Sequence, residues 1–335
     1  MAEHRILGAG TLLLDCITQV DDIWLQKYVD GAKGGSNTVS RQLSDTLLKQ
    51  LSADGIPVRK IAGGSAANTL AALAAWGVPA RLIGMTGNDD DGVFCRQSFA
   101  VCGGDISALK VHNTLATGRC ISFVTPDSER TMRTFSGAST AMLPSDLSEN
   151  DMADVDFLLF EGYLLYDEAL SAHIMETASR LGIPVGIDLA SFELVGKLRE
   201  KLIPYLKQCR IIFANREEAV ALTGQGRDEE LLDGLCGYAP EAVLKLGRQG
   251  ALIRMNGSTW QIPAELVENP LDTTGAGDLW QAGFLYGYLR NDPPELCGRF
   301  AAATAACLVQ VPGARLDAET LDELKQNFTI WEKQQ

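Results

Sequence analysis

At 335 residues, with 46% hydrophobic and 21% charged, the chain suits one large α/β domain or two ordinary ones and can bury a core without staples. A net charge of −14 argues against nucleic acid as the main partner and disfavours an anionic membrane surface, although a small anion needs only a local positive site. Eight scattered cysteines without a Cys-x-x-Cys, and three distant histidines (His4, His112, His173), argue against zinc and for reduced thiols in a cytoplasmic protein.

Residues 5–14 read as a buried first strand. The run contains Gly8 and Gly10 and stops at Asp15, so it is too short for a membrane span and lacks a signal-peptide cleavage pattern. Residues 16–56 are more polar, carry the turn Lys33-Gly34-Gly35-Ser36-Asn37, and predict a helix near 38–51. The alanine-rich stretch 66–76 predicts a helix, 81–85 a strand and 89–102 a helix. Residues 111–136 return to a β pattern, with a turn at Pro126-Asp127-Ser128.

From residue 155 the rhythm is regular. Strands at 155–160, 183–187, 211–214 and 242–246 alternate with helices at 167–181, 193–207, 215–222 and 228–236. Three more helices cover 276–290, 295–310 and 317–331. Short apolar runs between helices predict a doubly wound, mostly parallel α/β sheet with helices on both faces. The core is expected from residues 1–15, 57–110 and 137–335, and a small β-rich lid from the insertions 16–56 and 111–136.

Residues 272–284 read Asp-Thr-Thr-Gly-Ala-Gly-Asp-Leu-Trp-Gln-Ala-Gly-Phe. A small-residue turn (Gly275, Ala276, Gly277) opening onto a helix is an anion site, because the first helical N–H groups have no backbone partner. A carboxylate inside it, Asp278, calls for a chemical reason, such as taking a proton from a group that attacks a bound phosphate. A second cluster runs Gly63-Gly64-Ser65-Ala66-Ala67-Asn68. Its glycines permit close approach of a ligand, and Asn68, unfavourable inside a helix, suits a polyol.

Ligands in open parallel sheets bind beyond the carboxyl ends of the strands. Asp15, Glu161, Asn215 with Glu218 one turn later, and Gly247 to Gly250 stand at such ends. Each has a plainer reading: Asp15 as a turn residue, Glu161 as a solvent-exposed acid, Asn215 as a helix cap, Glu218 as a first-turn acid, Gly247 and Gly250 as a hairpin turn. Asp188 also follows a strand, but reads as structural. Gly8-Ala9-Gly10 hints at a dinucleotide-binding oxidoreductase, yet the third glycine of that fingerprint is absent, and so is a Walker phosphate loop.

Gly-Gly-x-x-x-Asn near residue 65 and Asp-Thr-x-Gly-Ala-Gly-Asp near 275 together resemble the two signatures of the ribokinase (PfkB) family of sugar and nucleoside kinases. The resemblance covers nearly the whole chain, including Asn215-x-x-Glu218 and Lys245-Leu246-Gly247-x-x-Gly250. It implies ATP and Mg2+ as cofactors and transfer to a primary hydroxyl of a small sugar or ribonucleoside, with Asp278 as base and Gly275, Ala276 and Gly277 as the anion hole. It further implies that Asp15, Gly63, Gly64, Asn68 and Glu161 hold the substrate. Asn215, Glu218, Lys245, Gly247 and Gly250 would serve the nucleotide, Glu218 reaching Mg2+ through water.

Asp272 and Thr274 match a monovalent-cation loop of some members, with K+ as the ion. The lid dimerises in some relatives. Two departures stand out: Trp280 replaces a common Phe, and Lys245 stands where some members have Thr. Adenosine-kinase-like specificity is suggested by Leu12 to Asp15 and Phe160 to Leu164. A non-catalytic binding protein on the same fold is the more distant reading, against which the intact Asp278 argues.

Overall fold

The computed structural model describes residues 4–127 and 129–334; Ser128 of the expected turn lies outside them. The first half comprises β1 (Ile6–Ala9), β2 (Leu13–Gln19), α1 (Asp22–Tyr28), β3 (Ser36–Thr38), α2 (Arg41–Ala53), β4 (Arg59–Gly63), α3 (Ser65–Ala75), β5 (Ala80–Gly87), α4 (Asp90–Val101), β6 (Leu109–His112), β7 (Arg119–Val124) and β8 (Arg130–Phe135). The second comprises α5 (Glu149–Met152), β9 (Phe157–Glu161), α6 (Glu168–Leu181), β10 (Val185–Asp188), α7 (Phe192–Leu206), β11 (Ile211–Asn215), α8 (Arg216–Thr223), α9 (Asp228–Cys236), β12 (Glu241–Lys245), β13 (Ala251–Met255), β14 (Ser258–Ile262), α10 (Ala276–Tyr288), α11 (Pro294–Leu308) and α12 (Ala318–Glu332).

The main sheet runs β14-β13-β12-β11-β10-β9-β1-β5-β6, parallel from β12 to β6 and antiparallel at the β13–β14 edge. Alternate strand residues feed opposite cores, as the period of two requires. Ile211 and Phe213 join the core of α3, α10, α11 and α12, through Leu70, Phe284, Phe300 and Phe328. Ile212 and Ala214 join the core of α6, α7, α8 and α9, through Ile174, Leu202, Leu222 and Leu231. The sheet is therefore doubly wound, as its strand–helix rhythm predicts. Among the described residues no helix is long and apolar enough to cross a membrane.

Five strands, β3-β8-β7-β2-β4, form a second sheet. Residues 5–14 are consequently not one strand, a correction to the sequence reading. The main-sheet strand ends at Ala9, and the chain re-emerges as β2 in the second sheet. The break falls at Gly10, where a Cβ would come within 2.7 Å of the Ala66 Cβ at the head of α3. Strands β2 and β4 also reach outside the 16–56 and 111–136 segments expected to make this sheet. The hairpin β13–β14 had a local signal in Asn256-Gly257, both at positive φ (49° and 77°), a pair that suits a tight hairpin turn.

Candidate active site

The parallel strands deliver polar groups to one edge: Glu161 closes β9, Asp188 β10, Asn215 β11 and Lys245 β12. Two helices begin at the same edge. α3 is entered through Gly64 at φ 111°, where a Cβ would overlap the Thr11 carbonyl oxygen. α10 is entered through Gly275 in the left-handed region at φ 72°. The Ala276 N–H closes the turn onto the Thr273 carbonyl at 3.2 Å, while those of Gly277 and Asp278 come too early in the helix for an intrahelical acceptor.

Asp278 joins the two helix heads. Its Oδ1 accepts from the Ser65 hydroxyl at 2.6 Å and its Oδ2 from the Asn68 amide at 2.9 Å. The Thr69 hydroxyl donates to its carbonyl at 3.0 Å. The residue keeps some surface open to the cleft but is otherwise enclosed. Burial raises its carboxyl above the ordinary range, the Ser65 and Asn68 bonds oppose that, and nearby Asp188 adds to it. Asn68 is 4% exposed, and its Oδ1 has no protein partner among the described residues. A buried amide acceptor left open is costly unless a ligand fills it.

A cavity of about 590 Å³ opens from Asp278 and Ser65 across Asp188, Asn215, Glu218 and Lys245 to Gly247. Lys245 Nζ bonds the Asp188 carboxylate at 2.9 Å. A Cβ on Gly277 would lie 3.5 Å from that same Nζ, so the lysine charge adjoins the helix head. Burial works against the lysine charge, but Asp188, Glu218 and Asp278 outweigh it and raise its pKa. Asn215 caps α8: its Oδ1 accepts the Glu218 N–H, and its own N–H and amide donate to the Glu218 carboxylate, each at 2.8 Å. Burial first and Asp188 second raise the Glu218 carboxyl. Capping and lining the cavity therefore coexist at Asn215. Gly250, at φ 91°, lies against the Ile262 carbonyl, where no Cβ fits.

Behind Asp278 lie the remaining expected residues. Glu161, 1% exposed, accepts from the Thr11 hydroxyl at 2.6 Å and the Ala66 N–H at 3.0 Å. It ties the β1–β2 connection to α3, and burial pushes its carboxyl up to about 7 despite those bonds. Asp15 lies in mid-strand of β2 rather than at a strand end. Its carboxylate packs against Gly63, where any Cβ would overlap it. Burial and then the Asp278 charge push it up to about 7 as well.

Asp272 and Thr274 do not line the cavity. They form the turn before Gly275, where Asp272 bonds Arg130 at 3.2 Å. Sequence reasoning missed Ser65, Thr11 and Arg130, and set aside Asp188. Asp188 carried the same strand-end signal as Glu161 and Asn215; the partnership of the other three is visible only in three dimensions.

Glu218 and Asp188 present oxygen ligands beside one lysine, a hard donor set that suits Mg2+. No group of three or more acidic, His or Cys side chains able to hold a metal occurs among the described residues.

The pfkB family carbohydrate kinase model matches residues 39–321. The chain is similar to an ATP-dependent ribose-1-phosphate kinase of Halopiger xanaduensis, 29% identical over 79% of this chain and 85% of that protein. A nucleoside kinase of Methanothermobacter thermautotrophicus is 27% identical over 81% of this chain and 86% of its own length. The crystal structure of adenosine kinase from Sinorhizobium meliloti superposes with a TM-score of 0.87 at 27% identity, covering 97% of this chain and 100% of that one.

Proposed function

The chain belongs to the pfkB family of carbohydrate kinases, and from that premise we propose that this sugar or nucleoside kinase moves the γ-phosphate of ATP to a primary hydroxyl, with Asp278 as base. The observation that carries the reading is Asp278 itself: a carboxylate held by Ser65 and Asn68 at a helix head, on the rim of a cavity that also holds Lys245.

The acceptor hydroxyl lies against Asp278, with its neighbouring hydroxyls on Asp15 and on the open Oδ1 of Asn68. Gly63 and Gly64 let the substrate approach the backbone. Glu161 acts from behind, holding Thr11 and Ala66 and so the glycine turn. The acceptor oxygen forms its bond to the γ-phosphorus as the bond from that phosphorus to the bridging oxygen breaks, and ADP leaves. The hydroxyl proton passes to Asp278, whose raised affinity for protons favours the transfer. Negative charge on the moving phosphoryl group is met by the Gly275–Gly277 turn, by the N–H groups of Gly277 and Asp278, and by Lys245.

Asn215, Gly247 and Gly250 border the nucleotide. Mg2+, when bound beside Glu218 and Asp188, would neutralise charge on the phosphates. Asp272 and Thr274 shape the turn into the anion hole. A homodimer would pair the second sheets, whose edge strand β3 is exposed at Ser36, Asn37 and Thr38; light scattering tests it.

The function is tested by following ADP release from ATP and Mg2+ over a panel of sugars, sugar phosphates and ribonucleosides, with the product site read by phosphorus NMR. Acceptor-dependent ADP release with phosphate on a primary hydroxyl is expected. No acceptor-dependent release across the panel, or phosphate only on a secondary hydroxyl, refutes the reading.

A further inference from the structure

The turn Asp272–Thr274 leads directly into the helix head at Gly275, and the resemblance assigns it a monovalent cation. The donors around Asp272 do not fit such an ion. Its Oδ1 accepts the N–H and hydroxyl of Thr274 at 2.9 and 2.5 Å, and a guanidinium nitrogen of Arg130 at 3.2 Å. Its Oδ2 accepts the Gly313 N–H at 2.8 Å. Three donors therefore crowd Oδ1, which has two lone pairs, while Oδ2 takes one donor and keeps one direction open. An added cation at this carboxylate would stand beside a guanidinium of its own sign, which already supplies the positive charge.

Arg130 is the first residue of β8 and so belongs to the second sheet, whereas Asp272 belongs to the loop before α10. The side chains are 25% and 10% exposed, which leaves the pair only partly screened by water. The same two charges act on Asp15 with opposite signs, Arg130 favouring its ionised form and Asp272 opposing it. The pair therefore touches both ends of the reaction. It sits just before the turn that receives phosphate, and it adjusts the carboxylate assigned to the acceptor.

Resting on the kinase reading above, we infer that Arg130 is the built-in cation of the phosphoryl-transfer loop, taking the place of a monovalent ion at Asp272. An uncompensated carboxylate so close to the Gly275–Gly277 turn would repel the incoming phosphate. Arg130 cancels that charge with a protein group. Potassium is then unnecessary, and the turn reaches full strength only while the second sheet keeps Arg130 docked. Arg130 is a positioning residue: it acts on phosphate through Asp272.

The test compares wild type, Arg130→Met and Arg130→Lys in potassium, sodium and choline chloride at equal ionic strength. Two readouts are taken: ADP release with the best acceptor, and thermal melting of the protein without acceptor or nucleotide. Wild-type rates should agree within about twofold across the salts, with one melting temperature, while Arg130→Met loses about tenfold or more in kcat and recovers part of it with added guanidinium ion. Arg130→Lys should keep most of the rate, because a single contact joins the pair and a lysine can replace it. Potassium stimulation of the wild type by more than about fivefold over choline would overturn the inference. So would a potassium-dependent rise in wild-type melting temperature, or an Arg130→Met protein with the wild-type rate. Should no acceptor yield ADP, the kinase reading fails by itself, and the melting comparison decides the cation question alone.

Discussion

The Asn68 amide donates to the Asp278 carboxylate at 2.9 Å, across 210 residues of chain, and so joins the heads of two helices that converge on one point. The bond leaves Asn68 Oδ1 open and fixes the carboxylate that would take the proton. Both consequences are measurable.

Asp278→Asn keeps the size and the contact with Ser65 but removes the proton acceptor. kcat should fall by about 100-fold or more, on the usual scale for acid–base groups, with little change in ATP binding. Steady-state kinetics beside nucleotide titration calorimetry would check this; a near-normal kcat would remove Asp278 from the role of base.

Asn68→Ala releases the Asp278 carboxylate and deletes the open acceptor together. kcat/KM for the acceptor should drop by about tenfold or more, while KM for ATP stays close to wild type, since Asn68 does not line the cavity proposed for the nucleotide. A change confined to the ATP parameter would contradict the placement.

Lys245 and Asp188 form a pair with 14% and 9% side-chain exposure. Lys245→Met leaves Asp188 and Glu218 uncompensated, so the nucleotide-free protein should lose on the order of 1–3 kcal/mol of stability, and KM for ATP should rise. Adding Asp188→Asn should restore much of the stability by removing one stranded charge, but not the ATP affinity. Denaturant unfolding of both variants separates the effects.

Glu161 predicts a pH dependence of stability. Its carboxyl is raised in the folded protein from 4.5 to about 7, so between those values the folded state holds more protons than the unfolded state. Stability from this group is complete below about 4.5 and declines as pH rises through about 7. The nucleotide-free protein should therefore melt higher at pH 5.5 than at about 8, and Glu161→Gln should flatten the slope by on the order of 1–3 kcal/mol. An unchanged slope in that variant would show that Glu161 is ionised throughout.

Gly64→Ala places a Cβ on the Thr11 carbonyl at a backbone φ of 111°. The protein should lose at least about 1–3 kcal/mol, read by thermal or chemical denaturation. Wild-type stability would mean that the entry to α3 can adopt another geometry.

The helices and parallel strands after residue 155 were legible because their signals are local: an apolar run, a cap, a change of period. The Asn215 cap and the glycine entry to α10 belong with them. The strand break at Gly10 was not legible, because the neighbours that crowd it, Glu161 and Ala66, come from segments far apart in sequence. Asp188 was visible but ambiguous; its worth depends on Lys245 arriving from β12. Ser65 stood inside the marked Gly63 to Asn68 cluster without being singled out, and Arg130 carried no local mark.

The sequence by itself determined the alternation of strands and helices, the glycine turn at Gly275 to Gly277 that opens α10, and the carboxylate that follows it, since each rests on the backbone chemistry of neighbouring residues. Only the tertiary structure decided the environment of each charge. It buried Glu161 under Thr11 and Ala66, set Lys245 between Asp188 and Gly277, and brought Arg130 from another sheet to Asp272. The physical reason is that the energy of a charge depends on the dielectric and on every neighbour within several ångströms, and those neighbours are chosen by the fold rather than by adjacency in the chain.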